Sequence, residues 1–139
     1  MSRHEDFGNY LAERYQNIFS KPLWVECNEG WHPIIDDLSK EVSEIAKKFP
    51  AINGENRINV VQIKEKFGGL RYYVDYHSMS DDDIQQIEYV IRNAEMKTFI
   101  ICEDCGGNGE KVSPKRYWMK TLCTDCQNKY DMGDTPNGI

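Results

Sequence analysis

The chain of 139 residues predicts an α+β fold: helices and a β-hairpin, followed by a cysteine-rich C-terminal finger. Three observations carry that prediction. Three stretches repeat their apolar residues every three or four positions, the helical period. Between the second and third the period changes to alternation around Gly68-Gly69, a hairpin signal. Near the end, four of the five cysteines fall into two Cys-x-x-Cys pairs.

The first helical stretch, RHEDFGNYLAERYQNIFS, spaces Phe7, Tyr10, Leu11, Tyr15, Ile18 and Phe19 on one side, with Gly8 weakening its start and Pro22 beyond its end. LWVECNEGWHP then reads as an irregular or briefly extended segment with a turn at Gly30. Pro33 is placed to begin the second helix, whose stripe runs through Trp31, Ile34, Ile35, Leu38, Val42, Ile45, Ala46 and Phe49 to a stop at Pro50. In the hairpin Leu70, Tyr72, Val74 and Tyr76 alternate with Arg71, Tyr73, Asp75 and His77. Val61, Ile63 and Phe67 are the expected matching face of the first strand, with the register left open by the adjacent Val60 and Val61. The third helix has Ser80 as N-cap and a face of Ile84, Ile87, Ile91, Ala94 and Thr98. The predicted organisation is a body over 1–100, with its hairpin at about 57–77 and third helix at about 81–98, then a finger over 101–132 packed on it and a frayed tail over 133–139.

The N-terminus MSRHEDFGNYLAERY has no apolar core of a secretory signal, and no apolar run reaches the length of a membrane span. A cytosolic address follows, where thiols stay reduced and paired cysteines point to metal or redox chemistry. Cys102-x2-Cys105 is separated by 17 residues from Cys123-x2-Cys126, inside the window for a zinc site. A two-residue gap lets one tight turn aim both sulfurs at a single point, and two such turns complete a tetrahedron of thiolates. A knuckle, a short hairpin containing KRYWMKTL and a helix opened by the second pair make a treble-clef or zinc-ribbon-like finger with four cysteine ligands. Redox Cys-x-x-Cys pairs sit in a thioredoxin-like βαβ setting, of which there is no sign. Four cysteines leave the metal no open position, and the histidines (His4, His32, His77) all precede the finger, so the expected ion is one structural Zn2+.

The net charge of −6 opposes a protein devoted to coating nucleic acid. The charge is uneven, however: Lys111, Lys115, Arg116 and Lys120 lie within ten residues that contain no acid. With Tyr117 and Trp118 they form a candidate nucleic-acid strip, in which aromatics stack bases and cations hold phosphates. More often such aromatics cover the metal site. In the hairpin, Lys64, Lys66 and Arg71 surround Phe67, Gly68 and Gly69, either a recognition surface or an ordinary solvated turn. Cys27, with Glu26, His32 and Asp36 near it in sequence, is conceivable as a nucleophile, against the plainer role of a small buried side chain.

VECNEGWHPIIDDL, VQIKEKFGGLRYYVD and CEDCGGNGE…TLCTDC together resemble three blocks of a family of small uncharacterised proteins from bacteria and their phages. The resemblance covers about residues 24–126, and the KEKFGGLR hairpin is its most specific part. Asn28-Glu29 stands where that family usually has Gly-Asp, and Cys126 where some members have His. The resemblance implies a shared pattern of Cys27, Gly30, Trp31, Lys64–Arg71 and the four late cysteines, and it carries no activity. The expected function is a non-catalytic zinc-binding module that binds another bacterial or phage protein, in a phage setting by inhibiting a host factor. On this expectation Cys27, Trp31 and the hairpin form the partner surface. A nucleic-acid-binding accessory protein is the second expectation, and an enzyme using Cys27 or His32 the third. No membrane partner is expected.

Overall fold

The computed structural model describes residues 2–114 and 117–132, which form an α+β fold of four α-helices and two small sheets. Helix α1 (Arg3–Arg14) starts where the Ser2 hydroxyl accepts from the Glu5 amide, with Glu5 and Asp6 in the positive first turn. Its apolar spacing continues past Arg14, yet the helix stops there. The chain turns so that the Ile18 carbonyl accepts from the Val60 amide at 2.7 Å, and Ile18 and Phe19 reach the core from that turn. Gly8 stays within the helix because the returning chain crosses it: a Cβ there would lie 1.6 Å from the Leu23 carbonyl oxygen.

That return leads into β1 (Val25–Glu26), which pairs parallel with β2 (Ile58–Lys66). Strand β2 pairs antiparallel with β3 (Gly69–Tyr76), giving the order β1-β2-β3. Helix α2 (His32–Ala46) connects β1 to β2, entered through a 3-10 turn over Glu29–Trp31 and with Pro33 in its first turn. It buries Ile35, Leu38, Val42 and Ala46. Helix α3 (Asp81–Lys97) begins with Ser80 accepting from the Asp83 amide, carries three aspartates in its first turn and buries Ile87, Ile91 and Ala94. These helices and the sheet face of Ile58, Val60, Ile63, Leu70 and Tyr72 enclose one apolar core with Trp31 fully inside it. Each such side chain contributes about 1.5–3 kcal/mol relative to exposure.

The hairpin differs from expectation in two places. The register pairs Lys66 with Gly69, so the two-residue turn is Phe67-Gly68, and both have positive φ (53° and 84°), the type I′ combination. Gly69 belongs to the strand and packs under the Phe99 ring. The register also shifts between Val60 and Gln62, a bulge that leaves Val60 buried and turns Val61 to solvent. Val61 and Phe67 therefore do not join Ile63 on the core face. The free edge of β3 is covered: the Leu70 amide donates to Thr98 Oγ1 at 3.0 Å and the Tyr72 amide to Glu95 Oε2 at 2.9 Å.

At the start of α2, the His32 ring stacks on Phe7 with centroids 3.8 Å apart. Burial pulls its pKa below the ordinary 6.5, with the charge of Glu29 opposing. The folded state therefore favours neutral imidazole, so stability is full above about pH 6.5 and falls as pH drops toward the lower folded-state pKa. Denaturant midpoints measured between pH 7.5 and 5.5 should decline, and His32→Gln should flatten that part of the profile.

Candidate metal centre

The finger leaves the body through a 3-10 turn over Thr98–Ile100. Cys102 and Cys105 lie on a knuckle closed by two backbone bonds, Gly106 to the Cys102 carbonyl (2.9 Å) and Cys102 to the Gly107 carbonyl (2.7 Å). Strands β4 (Glu110–Val112) and β5 (Lys120–Leu122) form a short antiparallel hairpin. Cys123 then caps helix α4 (Thr124–Asp131), and Cys126 sits in its first turn. The expected ligands Cys102, Cys105, Cys123 and Cys126 are thus brought together, their sulfurs all within 4.8 Å of one another. Cys105 and Cys123 are 3.7 Å apart. A tetrahedron with metal–sulfur bonds of about 2.3 Å has sulfurs about 3.8 Å apart, so the cluster could hold a zinc ion.

Two of the sulfurs accept from backbone amides. The Gly107 amide donates to Cys105 Sγ and the Cys126 amide to Cys123 Sγ, each at 3.4 Å. The Cys126 amide leads the interactions that pull the Cys123 thiol below its ordinary pKa. Burial, followed by the neighbouring sulfurs, pushes Cys126 well up. At Cys105 the Gly107 amide favours the thiolate, but burial and the Cys102 and Cys123 sulfurs outweigh it and raise the pKa. Four negative sulfurs this close need a cation between them. Cys102 and Cys126 are buried while Cys105 is exposed, so the cluster sits at the finger's rim.

The finger is joined to the body through Glu103, a buried residue between two ligands of the first pair. Its carbonyl accepts from the Gly30 amide (2.7 Å), its Oε2 from the Asn28 amide (3.0 Å), and its own amide donates to the Thr121 carbonyl (2.9 Å). Its Oε1 pairs with the Lys120 ammonium at 3.0 Å. Burial raises the Glu103 carboxyl pKa against the pull of Lys120. Burial also works against the Lys120 charge, but the Glu103 carboxylate outweighs it and holds the lysine above its usual value. Close by, Asn28 Nδ2 donates to Asp104 Oδ1 (2.6 Å) and Trp31 Nε1 to the Ile101 carbonyl (2.9 Å). Gly30 lies so close to the knuckle that a Cβ would come within 2.2 Å of the Cys102 carbonyl oxygen. The hairpin turn is tied to the same finger, since Thr121 Oγ1 donates to the Gly68 carbonyl at 2.6 Å.

Several expected site residues change role. Cys27 and Trp31 are buried and present no surface to a partner; they hold the loop that docks on the knuckle. Burial raises the Cys27 thiol well above its ordinary pKa, the reverse of an activated nucleophile. Gly68 and Gly69 are buried against Thr121 and Phe99, leaving Lys64, Lys66, Phe67 and Arg71 as the outward part of the hairpin. In the nucleic-acid strip, Lys120 is buried on Glu103, and its ammonium lies 5.5 Å from the Tyr117 ring centre. Tyr117 packs edge-on against Tyr130 at 4.9 Å, covering the metal side of the finger. Trp118 is exposed, and Lys111 lies 4.5 Å over the Phe99 ring. Lys115 and Arg116 lie outside the described residues, as does the tail. Glu103 is not a sequence candidate, because a lone acid beside a cysteine gives no pattern until Asn28, Gly30 and Lys120 are folded around it.

No family model, curated protein or solved structure matches the chain.

Lys120→Met should cost about 3 kcal/mol by leaving the Glu103 carboxylate buried without its cation. Adding Glu103→Gln should recover much of that loss, a coupling readable from denaturant midpoints of the metal-loaded single and double variants.

Proposed function

We propose that this chain is a small non-catalytic zinc protein that works by binding another protein. Its finger is read as a treble clef that holds one structural Zn2+ through Cys102, Cys105, Cys123 and Cys126. The observation that carries this proposal is the closed set of four sulfurs within 4.8 Å, which leaves a bound metal no position for water or substrate. A finger of this size falls below the roughly 40 residues that fold without a metal, a disulfide or a partner. Zinc would supply on the order of 10 kcal/mol of folding free energy there.

The rest of the molecule supports binding over catalysis. Cys27 and His32 line a cavity of about 10 Å³, space for a single water, and burial holds the Cys27 thiol protonated. No helix among the described residues is long and apolar enough to cross a membrane. The chain's net charge of −6 favours a protein partner over a polyanion. In its narrower form the proposal follows the resemblance to the bacterial and phage family: a partner in the bacterial cytosol, inhibited when the protein comes from a phage.

A specific observation favours a second proposal, nucleic-acid binding: exposed Trp118 is accompanied by Lys111 and by the hairpin lysines. The two are separated by affinity capture of the tagged, metal-loaded chain from bacterial lysate, with and without nuclease. Elemental analysis should give one zinc per chain, and a stoichiometric protein partner should survive nuclease. Recovery of nucleic acid, with proteins lost on nuclease treatment, would transfer the proposal to the second class.

A further inference from the structure

At the hairpin tip, three features that a purely structural turn would avoid occur together. Phe67 occupies a left-handed position of a type I′ turn, where Gly, Asn or Asp is favoured and a bulky ring is strained. The ring does not recover that strain by burial, because it is 50% exposed. Its neighbour across the finger, Trp118, is 77% exposed and meets it edge-on, with ring centres 5.7 Å apart at 70°. Finally, Lys64 and Arg71 stand directly opposite one another in the register, concentrating positive charge that Glu95 near Arg71 offsets in part.

These features are contiguous. Lys66 lies on the same strand face as Lys64, and its ammonium sits 5.6 Å from the Phe67 ring centre. Lys111 reaches the turn from β4, its stem beside Gly68. Glu26 on β1 neighbours Lys64 and offsets part of the charge at the far end of the face. Close to the turn, Glu65 is directed inward and accepts from the Gly68 amide. The Thr121–Gly68 bond ties the finger to this turn, so both parts of the molecule contribute to the patch.

Resting on the protein-binding proposal above, we infer that Phe67, Trp118, Lys64, Lys66, Arg71 and Lys111 form one docking surface for an acidic protein segment carrying an apolar anchor. Exposed Trp and Phe beside Arg and Lys have the chemistry of an interface centre, with apolar contact in the middle and opposite charge around it. A peptide fits better than single-stranded nucleic acid for two reasons. One face of Phe67 already carries Lys66 and its edge region meets Trp118, so the pair does not offer two free parallel faces to successive bases. The charge of −6 on the whole chain also repels a long polyanion, whereas a short acidic segment feels mainly the local lysines within about 10 Å, the screening length in salt.

The test uses the full metal-loaded chain with p-benzoylphenylalanine placed at Phe67, at Trp118 or, as a distant exposed control, at Tyr89. Each is irradiated in bacterial cells and the cross-linked segment is sequenced. The expected result is one protein segment captured from both Phe67 and Trp118 but not from Tyr89, with an excess of Asp and Glu. Lys64→Glu with Lys66→Glu should reduce capture at Trp118 at least tenfold. Phe67→Asn should reduce it similarly while leaving the thermal midpoint unchanged or raised, because Asn suits the left-handed position. A captured segment without acidic excess, capture from Tyr89 alone or no capture at the tip would overturn the surface while leaving protein binding itself to the affinity experiment. Cross-links to nucleic acid alone would overturn both. A marked fall in thermal midpoint for Phe67→Asn would show that Phe67 is retained for stability.

Discussion

Glu103 sits between Cys102 and Cys105 and makes four contacts that reach both the Asn28–Gly30 loop and strand β5. A buried carboxylate is expensive unless it is paired and its oxygens are hydrogen-bonded. Here one oxygen accepts from the Asn28 amide and the other forms an ion pair with the Lys120 ammonium, which Tyr117 and Tyr130 enclose. The arrangement works only if the knuckle that carries Glu103 holds its shape. On the proposed reading, a metal held by Cys102, Cys105, Cys123 and Cys126 would fix that shape.

The body's own core is substantial, yet two of its loops end on the finger. The loop after β1 places Asn28, Gly30 and the Trp31 indole on the knuckle, and the turn between β2 and β3 gives the Gly68 carbonyl to Thr121. The finger is therefore a platform onto which two body loops dock, rather than an appendage. Three separate stretches of sequence meet at this junction: the Asn28–Trp31 loop, the turn between β2 and β3, and the cysteine-bearing finger.

The legible part of the sequence is its periodicity and its cysteine spacing. The Ser80 cap and the apolar face of α3 follow local rules, as does the metal-site spacing, and each appears where those rules put it. The briefly extended stretch at β1 is legible, but its pairing is not, because it is parallel to β2 and separated from it by α2. The turn sits one residue earlier than expected: Gly68-Gly69 resembles its centre, whereas strand register puts the bulky Phe67 there instead. Cys27 and Trp31 look like surface candidates through their place in a distinctive block. Both are buried in the body's core, and Gly30 beside them approaches Cys102, a contact between residues more than seventy positions apart.

The most direct measurement is amide hydrogen exchange of the intact chain with and without bound zinc. Metal removal should expose the finger amides and, with them, the Asn28 and Gly30 amides, which donate to Glu103, while Val60 inside the body stays protected. Loss of protection confined to the segment after Ile101, with Asn28 and Gly30 unchanged, would contradict the account: the finger would then be an independent staple on a body that does not need it.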